Sequence, residues 1–259
     1  DINKIWDIRK AGLALLSNMP GDAKPVSIVE DTAVIPALLP EYIKEFKNLV
    51  NKYNIPCVYY GHLGAGELHI KPVLNLKKKE DKELLRKIML ENVELVKKYR
   101  GSLSGEHGDG RLRSEFVRDF YGDNIYNKFC EIKNLWDPKG IFNPGKIISN
   151  IPANAYVRYK KVYKNYDIKT FFDFSSRGGI LRAVEQCTGS ADCRKTHITG
   201  GIMCPTYMAT LDESCTTRAR ANILREFLTN SNKKNPFNYN EIHEIMKLCL
   251  ACKGCKAEC

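Results

Sequence analysis

Residues 1–105 combine short runs of alternating apolar and polar positions with two longer runs of helical periodicity. Val26–Glu30 alternates as a strand does, whereas apolar residues recur at helical spacing after Pro40, a residue that favours a helix start. The second helical run ends at Gly101, a residue type common at helix C-termini. The predicted order is a strand at 26–30, a helix at 40–53, strands at 57–60 and 68–73, a helix at 79–100 and a strand at 102–105.

This βαββαβ order predicts a ferredoxin-like α+β domain, in which two helices cover one face of an antiparallel sheet. The remainder of the chain has helical patterns and most of the cysteines, so we expect a mainly α-helical domain to follow. The predicted helices of that domain lie at 214–229 and 239–249, and two further helices are predicted at 111–120 and 123–135, before it. The predicted division is a substrate-binding or cap domain at 1–150, a linker at 151–176 and a cysteine-rich domain at 177–259.

Composition narrows the class of protein. The chain has 259 residues, 43% of them hydrophobic, and a formal net charge of +11 at pH 7. No apolar run approaches the roughly 18 residues needed to span a bilayer, and no signal peptide is visible. The basic charge suggests nucleic acid or a membrane surface, but the lysines are dispersed and Lys77–Lys79 is soon followed by acidic residues. We therefore expect a solvated basic surface and no nucleic-acid partner.

Four thiols close the chain with the spacing C-x2-C-x2-C-x3-C. Bacterial-type ferredoxins use this run around a 4Fe-4S cluster, and its fourth cysteine ligates a second cluster. A structural zinc site is the alternative, although zinc usually takes two C-x2-C pairs set well apart. Eight of the ten cysteines follow residue 186, which favours metal ligation and a reducing, cytoplasmic compartment. The four closing thiols are Cys249, Cys252, Cys255 and Cys259.

The upstream partner of this run is incomplete. Cys187 and Cys193 stand at the first and third ligand positions, Ser190 occupies the second, and the Cys-Pro position is delayed to Cys204. By ligand exchange, one complete cluster is predicted from Cys204, Cys249, Cys252 and Cys255. A second cluster would have Cys187, Cys193 and Cys259. Three alternatives remain for this second site. It holds a three-iron cluster, it recruits Cys215 or Ser190 as a further ligand, or it holds no cluster. Because the chain starts at Asp1 and stops on a predicted ligand, we expect a segment of a longer protein.

A second constellation contains three of the five histidines. His62 and His69 flank a Gly-rich hairpin, and Glu106-His107 follows a predicted strand in another Gly-flanked loop. Two histidines and one carboxylate form a complete three-ligand set for a catalytic divalent metal with an open position. A leftover histidine beside it suits a general base, since histidine is the side-chain type that titrates nearest neutrality. The alternative is that each is a hydrogen-bonding turn histidine.

These loops, together with Trp6–Lys10 and Phe142–Lys146, resemble the C-terminal half of FAD-linked oxidases of the vanillyl-alcohol-oxidase type, above all D-2-hydroxyglutarate and D-lactate dehydrogenases. The resemblance covers about residues 1–150. It implies that His62, His69 and Glu106 bind zinc and that His107 is the base. It implies that the metal grips the hydroxyl and carboxylate of the substrate and that the base takes the hydroxyl proton as hydride leaves for FAD. It also implies roles for four further residues. Arg9 and Lys24 would bind a substrate carboxylate, and Asn143 and Lys146 would lie against the flavin.

The resemblance has two limits. Leu13 stands where the family has a Thr, which weakens the assignment of a dicarboxylate substrate. The FAD-binding domain of the family lies N-terminal to this half, and nothing in the sequence matches it, so that domain is an expected partner.

The stretch Cys187–Glu226 resembles the iron–sulfur segment of large bacterial dehydrogenases and of the glycolate oxidase iron–sulfur subunit. In those proteins a basic pair, matched by Arg218 and Arg220, begins a helix next to the cluster. We interpret the pair as structural, with donation to cluster sulfides as the alternative. Cys215 stands where relatives usually have His.

The leading hypothesis is a segment of an FAD- and iron–sulfur-dependent dehydrogenase that oxidises D-lactate or D-2-hydroxyglutarate. Electrons would pass from FAD through 4Fe-4S clusters to a quinone, a cytochrome or an electron-transfer flavoprotein. The expected location is cytoplasmic, with peripheral association with the inner face of the cell membrane as a variant. A non-catalytic iron–sulfur electron-transfer or docking subunit is the first alternative, and a zinc-stabilised nucleic-acid binder is the second.

Overall fold

The computed structural model describes residues 1–159 and 168–259. Over these residues the protein is a mixed α and β chain with one small antiparallel sheet. The strands are β1 (Lys24–Pro25), β2 (Thr32–Ala33), β3 (Cys57–His62) and β4 (Glu67–Leu74). The α-helices are α1 (Ile2–Ser17), α2 (Leu39–Asn51), α3 (Lys79–Lys98), α4 (Ser114–Trp136), α5 (Ile180–Val184), α6 (Pro205–Thr210), α7 (Thr217–Asn230), α8 (Asn240–Lys247) and α9 (Gly254–Glu258).

Strand β4 is the centre of the sheet. It pairs antiparallel with β3 on one side and with the short strands β1 and β2 on the other. The predicted strand at 26–30 is wrong, because residues 26–31 bulge away from β4 as a turn. Asp31 ends the bulge with a φ of 85°, which an extended strand cannot accommodate. The predicted strand at 102–105 is reduced to a single bridge between Ala33 and Ser102. The ferredoxin-like arrangement therefore remains a prediction.

Helices α2 and α3 form the main core with the sheet. Both were predicted from apolar spacing, and both are confirmed within two residues at their ends. Their inward faces bury Tyr42, Phe46, Ile88 and Val93 in one cluster with the apolar side chains of β4. The side chains of such a core are closely packed, so truncating any one of them would leave a destabilising cavity. The core gives the adjoining loops a rigid base.

Gly122 divides α4 into the two helices that the sequence predicts. Its φ of 78° is not helical, and the helix kinks there. The predicted break between 120 and 123 is therefore confirmed. The loop after α4 turns around Asp137, whose carboxylate accepts hydrogen bonds from the backbone N–H groups of Ile141 and Phe142, both at 2.8 Å.

The chain separates into two compact units, one at Asp22–Val162 and the other formed by Asp1–Gly21 with Tyr163–Cys259. The predicted domain limits at 150 and 177 remain predictions beside these units, and part of the predicted linker lies outside the described residues. In the second unit, α7 and α8 confirm the helices predicted at 214–229 and 239–249, with their observed limits at Thr217–Asn230 and Asn240–Lys247. No helix in the described ranges is long and apolar enough to cross a membrane.

Candidate functional site

The hairpin between β3 and β4 sets the first half of the site. A 3-10 turn at Leu63–Ala65 ends at Gly66, which has a φ of 73°. A Cβ at this position would lie 1.9 Å from the carbonyl oxygen of Val34, so only glycine fits. The register places Glu67 opposite His62 and His69 opposite Tyr60. Glu67 and His69, two residues apart, therefore lie on one face of β4.

The second half of the site is the Glu106-His107 loop, which Asp31 holds in place. The carboxylate of Asp31 accepts the backbone N–H groups of Glu106 at 2.8 Å and His107 at 2.9 Å, and the hydroxyl of Ser104. Arg113 Nη2 also donates to this carboxylate, at 3.2 Å from Asp31 Oδ2. Burial would raise the pKa of Asp31, but the hydrogen bonds from Ser104, Glu106 and His107 outweigh burial and lower the pKa. A buried, ionised carboxylate thus fixes this loop.

The structure brings together all four residues predicted for the metal and the base. Glu106 Oε1 lies 3.5 Å from His62 Nε2, 3.5 Å from His69 Nε2 and 3.2 Å from His107 Nε2. The rings of His69 and His107 stack with centroids 5.1 Å apart and an interplanar angle of 2°. His69 is buried, whereas His62, Glu106 and His107 are exposed on the open side. The set has the donors and the open face of a catalytic metal site.

Glu67 is a member of this cluster that sequence reasoning missed. Its Oε2 lies 3.9 Å from His62 Nε2, and its Oε1 lies 3.4 Å from His69 Nδ1. Glu67 Oε1 and His69 Nδ1 are both buried without a hydrogen-bond partner within the described parts of the chain. Burial and the neighbouring Asp31 and Glu106 raise the pKa of Glu67 to about 7, and burial lowers the pKa of His69. The sequence signal that could have identified Glu67 is its position in the hairpin between His62 and His69, two candidate ligands.

The charges around the cluster favour a cation. One ligand atom from each of His62, Glu67, His69 and Glu106 lies within 4.8 Å of the others. Lys71, two residues beyond His69 on the same face of β4, is buried with its Nζ 3.1 Å from Glu30. The carboxylates outnumber the fixed cations at this place. The carboxylates are Glu30, Asp31, Glu67 and Glu106, and the cations are Lys71 and Arg113.

The two predicted carboxylate-binding residues belong to different compact units. Arg9 is exposed on α1, with its guanidinium 5.6 Å from the centroid of the Trp6 ring, and α1 belongs to the other compact unit. Lys24 lies opposite Leu74, five residues along β4 from His69. Residues directly opposite each other in a sheet share a face, so Lys24 lies on the face of Leu74. His69 lies on the other face, because it is an odd number of residues from Leu74. Lys71 is a buried cation on the same face of β4 as His69.

The two residues predicted to lie against the flavin are in the loop that follows α4. Asn143 is exposed and has a φ of 46°. Lys146 lines a cleft of about 560 Å³ whose walls include Tyr156. The backbone N–H of Ile147 donates to the carbonyl of Gly110 at 2.7 Å, which ties this loop to the segment that carries His107.

The cysteines of the other unit divide by exposure. Cys193, Cys204 and Cys215 are buried, Cys187 is half-buried, and the four closing cysteines are exposed. Burial and the nearby thiols of Cys187 and Cys193 raise the pKa of Cys259. Cys255, predicted for the other cluster, acts on Cys259 in the same way, so Cys259 lies near thiols of both predicted sets.

The closing run also lies beside the segment that carries Cys204. Glu258 accepts the backbone N–H groups of Ile202 at 2.7 Å and Met203 at 2.9 Å. At the other end, the hydroxyl of Thr206 donates to the carbonyl of Leu248 at 2.7 Å. The segment around Cys204 is thus hydrogen-bonded to Glu258 near the end of the run and to Leu248 just before its start.

Comparison with known proteins places these residues in a family. Residues 1–147 match the family described as FAD linked oxidases, C-terminal domain. The whole chain is similar to D-2-hydroxyglutarate dehydrogenases, with 31% identity to that of Haemophilus influenzae and 29% to that of Escherichia coli. In both cases the similarity covers 28% of the relative, so the chain spans less than a third of the length of these proteins.

Other relatives match only about half of the chain. The D-lactate dehydrogenase of Archaeoglobus fulgidus is 32% identical over 51% of this chain and 29% of its own length. The similarity to the D-2-hydroxyglutarate dehydrogenases, by contrast, extends through the cysteine-rich unit.

Proposed function

This chain belongs to the FAD-linked oxidases by their C-terminal domain, and from that premise we propose that it is the substrate- and metal-binding segment of a D-2-hydroxy acid dehydrogenase. The whole protein would oxidise D-2-hydroxyglutarate or D-lactate to the 2-oxo acid. The observation that carries the proposal is the convergence of His62, His69 and Glu106 beside His107. The ferredoxin-like arrangement of the first unit is part of the same proposal.

The donor set suits a divalent metal. His62, His69 and Glu106 would hold it, and Glu67 is a fourth donor within reach. The buried, unpaired Glu67 Oε1 and His69 Nδ1 support this assignment, since a bound cation would compensate the buried carboxylate. Imidazole and carboxylate donors are those of catalytic zinc, so zinc is the proposed ion.

The reaction removes a hydride from C2 and a proton from the hydroxyl of the substrate. When bound, the metal supplies a Lewis acid for the hydroxyl oxygen, and FAD supplies the acceptor for the hydride. His107 receives the hydroxyl proton, because its Nε2 lies 3.2 Å from Glu106 and so beside the metal-binding position. The products would be the 2-oxo acid and one proton on His107, with the hydride passing to FAD. The stacked ring of His69 and the backbone hydrogen bond to Asp31 hold His107 in position.

Cations would orient the carboxylates of the substrate. Arg9 and Lys24 are proposed from the family resemblance. Lys71 is added from its burial on the face of His69. A second carboxylate of a dicarboxylate substrate would compete with Glu30 for Lys71, whereas D-lactate offers no such group.

Exposed apolar side chains support a contact with the rest of the protein. Leu135 and Trp136 at the end of α4 are each 79% exposed, and Ile141 and Phe142 in the next loop are each 65% exposed. Asn143 follows directly, at the position proposed to lie against the flavin. We propose that an FAD-binding domain covers this surface.

The cysteine-rich unit would carry electrons onward through iron–sulfur clusters. Cys204 with Cys249, Cys252 and Cys255 is the proposed complete ligand set. Cys187, Cys193 and Cys259 are the proposed ligands of a second cluster. The hydrogen bonds that join the segment around Cys204 to Glu258 and Leu248 support the first set. A quinone, a cytochrome or an electron-transfer flavoprotein is the proposed acceptor.

The test is turnover of D-2-hydroxyglutarate and D-lactate by the full-length protein and its His107→Ala variant. Loss of a general base lowers kcat by about 10²–10⁴-fold. His243→Ala is the matched control, since that exposed histidine lies on α8, outside the site. Equal turnover by wild type and His107→Ala would exclude the proposed base. No turnover of either acid by the wild type would favour the non-catalytic docking subunit.

A further inference from the structure

Arg220 is a buried cation in the cysteine-rich unit. It lies in the first turns of α7 and is 9% exposed. In the described ranges 1–159 and 168–259, no carboxylate lies within ion-pair distance of its guanidinium. A buried charge without a counter-charge is costly, because it loses hydration and gains no opposite charge in return. The position therefore calls for an anion.

The hydrogen bonds of Arg220 lead to Cys204. Nη1 donates to Cys204 Sγ at 3.3 Å and to the carbonyl of Cys215 at 2.7 Å, and Nε donates to the carbonyl of Ile245 at 3.2 Å. Nη2 is buried and has no hydrogen-bond partner in the described part of the chain. Nη1 of the guanidinium thus donates to the thiol, while the adjacent Nη2 is free to donate to a further acceptor.

Cys204 Sγ contacts one hydrogen-bond acceptor and one donor. As a thiol, Cys204 Sγ donates to the carbonyl of Cys215 at 2.7 Å. Ligation removes that proton, since the thiolate is the metal ligand. Arg220 already donates to both the sulfur and the carbonyl, so neither atom loses its last partner on deprotonation. The guanidinium also supplies a positive charge for the thiolate.

We propose that Arg220 donates hydrogen bonds to the cluster ligated by Cys204, through Nη1 to the thiolate and Nη2 to an inorganic sulfide, and thereby raises its reduction potential. The inference rests on the proposed iron–sulfur function. Hydrogen bonds to sulfur and a nearby positive charge favour the more negative, reduced state of a cluster. The cluster in turn supplies the anion that the buried guanidinium lacks.

The experiment is an anaerobic redox titration of the full-length protein, followed by electron paramagnetic resonance, on wild type, Arg220→Lys and Arg220→Met. Iron and sulfide contents are measured first. Arg218→Met is the control, because Arg218 is two residues away on the same helix but donates to Glu213 at 2.9 Å. We expect the midpoint potential to become more negative in Arg220→Lys and further so in Arg220→Met. A tenfold loss in the reduction equilibrium corresponds to about 59 mV for one electron. If two clusters are present, one potential moves.

The outcomes separate this inference from the proposed function. A wild type without iron and sulfide contradicts the iron–sulfur function itself, and the inference fails with it. Clusters in the wild type with an unchanged potential in Arg220→Lys overturn the role of Arg220 alone. Failure of both Arg220 variants to hold a cluster that Arg218→Met retains also overturns it, because the guanidinium would then serve assembly. If only Arg220→Met loses the cluster, a lowered potential in Arg220→Lys supports the inference.

Discussion

The histidine cluster and the cysteine-rich unit hold their functional side chains in different ways. His69 and the Glu106-His107 loop are attached to a rigid base, the central strand β4 and the buried carboxylate of Asp31. The cysteine-rich unit has a smaller cluster of buried side chains, formed by Cys193, Met203, Cys204, Tyr207 and Cys215. Three of these five are thiols, and the closing cysteines are exposed.

The difference indicates what each site requires from its ligand. The histidine cluster is positioned by contacts that do not involve a metal. The free energy of binding a metal there would therefore contribute to affinity and not to folding. Two of the buried side chains of the cysteine-rich unit, Cys193 and Cys204, are proposed iron ligands. The free energy of binding the proposed clusters would therefore be partly folding free energy. The first site is preorganised, whereas the proposed second site would be completed by its cofactor.

The largest expected effect is on removal of iron. Stripping iron from the full-length protein should lower the hydrogen-exchange protection of the backbone amides in residues 187–259 more than about 100-fold. The reason is that structural metal sites contribute about 10 kcal/mol or more to folding. Protection across 22–159 should stay unchanged. Hydrogen exchange read by mass spectrometry measures both ranges in one sample, with a zinc chelator as the matched treatment. Equal loss of protection in the two ranges would contradict the comparison.

The next effect is on the anchor of the preorganised site. Asp31→Ala removes the acceptor of the Glu106 and His107 backbone N–H groups and leaves Arg113 without its carboxylate. Loss of such a supporting group typically lowers metal affinity about 10–100-fold. Competition against a chromophoric zinc chelator measures it. Asp123→Ala, which removes a surface ion pair with Arg118, should leave the affinity unchanged. Wild-type affinity in Asp31→Ala would show that the loop is held by other contacts.

A smaller effect is expected within the core that supports the site. The hydroxyl of Tyr42 donates to Asn92 Oδ1 at 2.7 Å, and both residues are fully buried. Tyr42→Phe leaves that oxygen without this donor and should lower the free energy of unfolding by about 1–3 kcal/mol, with turnover unchanged. Urea denaturation measures the change. Tyr156→Phe, at a 61% exposed position, should have little effect. A similar loss in both variants would show that the effect is not specific to burial.

The smallest effect concerns the loop near Asn143. The Lys133 ammonium at 2.6 Å and the backbone N–H groups of Ile141 and Phe142 hold the pKa of Asp137 below its usual range, although burial acts against them. The ionised carboxylate therefore contributes stability above its unfolded pKa of about 3.9, and the contribution is lost as pH falls through the folded value. Asp137→Asn should be less stable than wild type at neutral pH, with the difference vanishing in acid. A difference that persists at low pH would exclude a charge effect.

The sequence predicted elements whose signal is local. The apolar spacing of α2 and α3 and the break at Gly122 were all visible, since helical periodicity and glycine act over a few residues. The spacing of His62, His69, Glu106 and His107 also indicated that they would meet, because each follows or ends a strand.

Long-range contacts escaped prediction. Asp31 holds a loop 75 residues further along the chain, and nothing in its neighbourhood marks an acid that accepts hydrogen bonds from that distance. The bulge at 26–31 escaped for the same reason, since its φ at Asp31 serves contacts outside the local pattern. Lys71 looked like an ordinary charged strand residue until its burial beside Glu30 was visible.

One measurement tests the central claim, that a hydroxy-acid site in the first unit supplies electrons to clusters in the second. D-2-hydroxyglutarate is added anaerobically to the full-length protein, and the visible iron–sulfur absorbance is followed with time. The wild type should bleach, and His107→Ala should bleach at least about 100-fold more slowly, while dithionite bleaches both. Bleaching at the same rate in both proteins, or none in a wild type that dithionite still bleaches, would contradict the account.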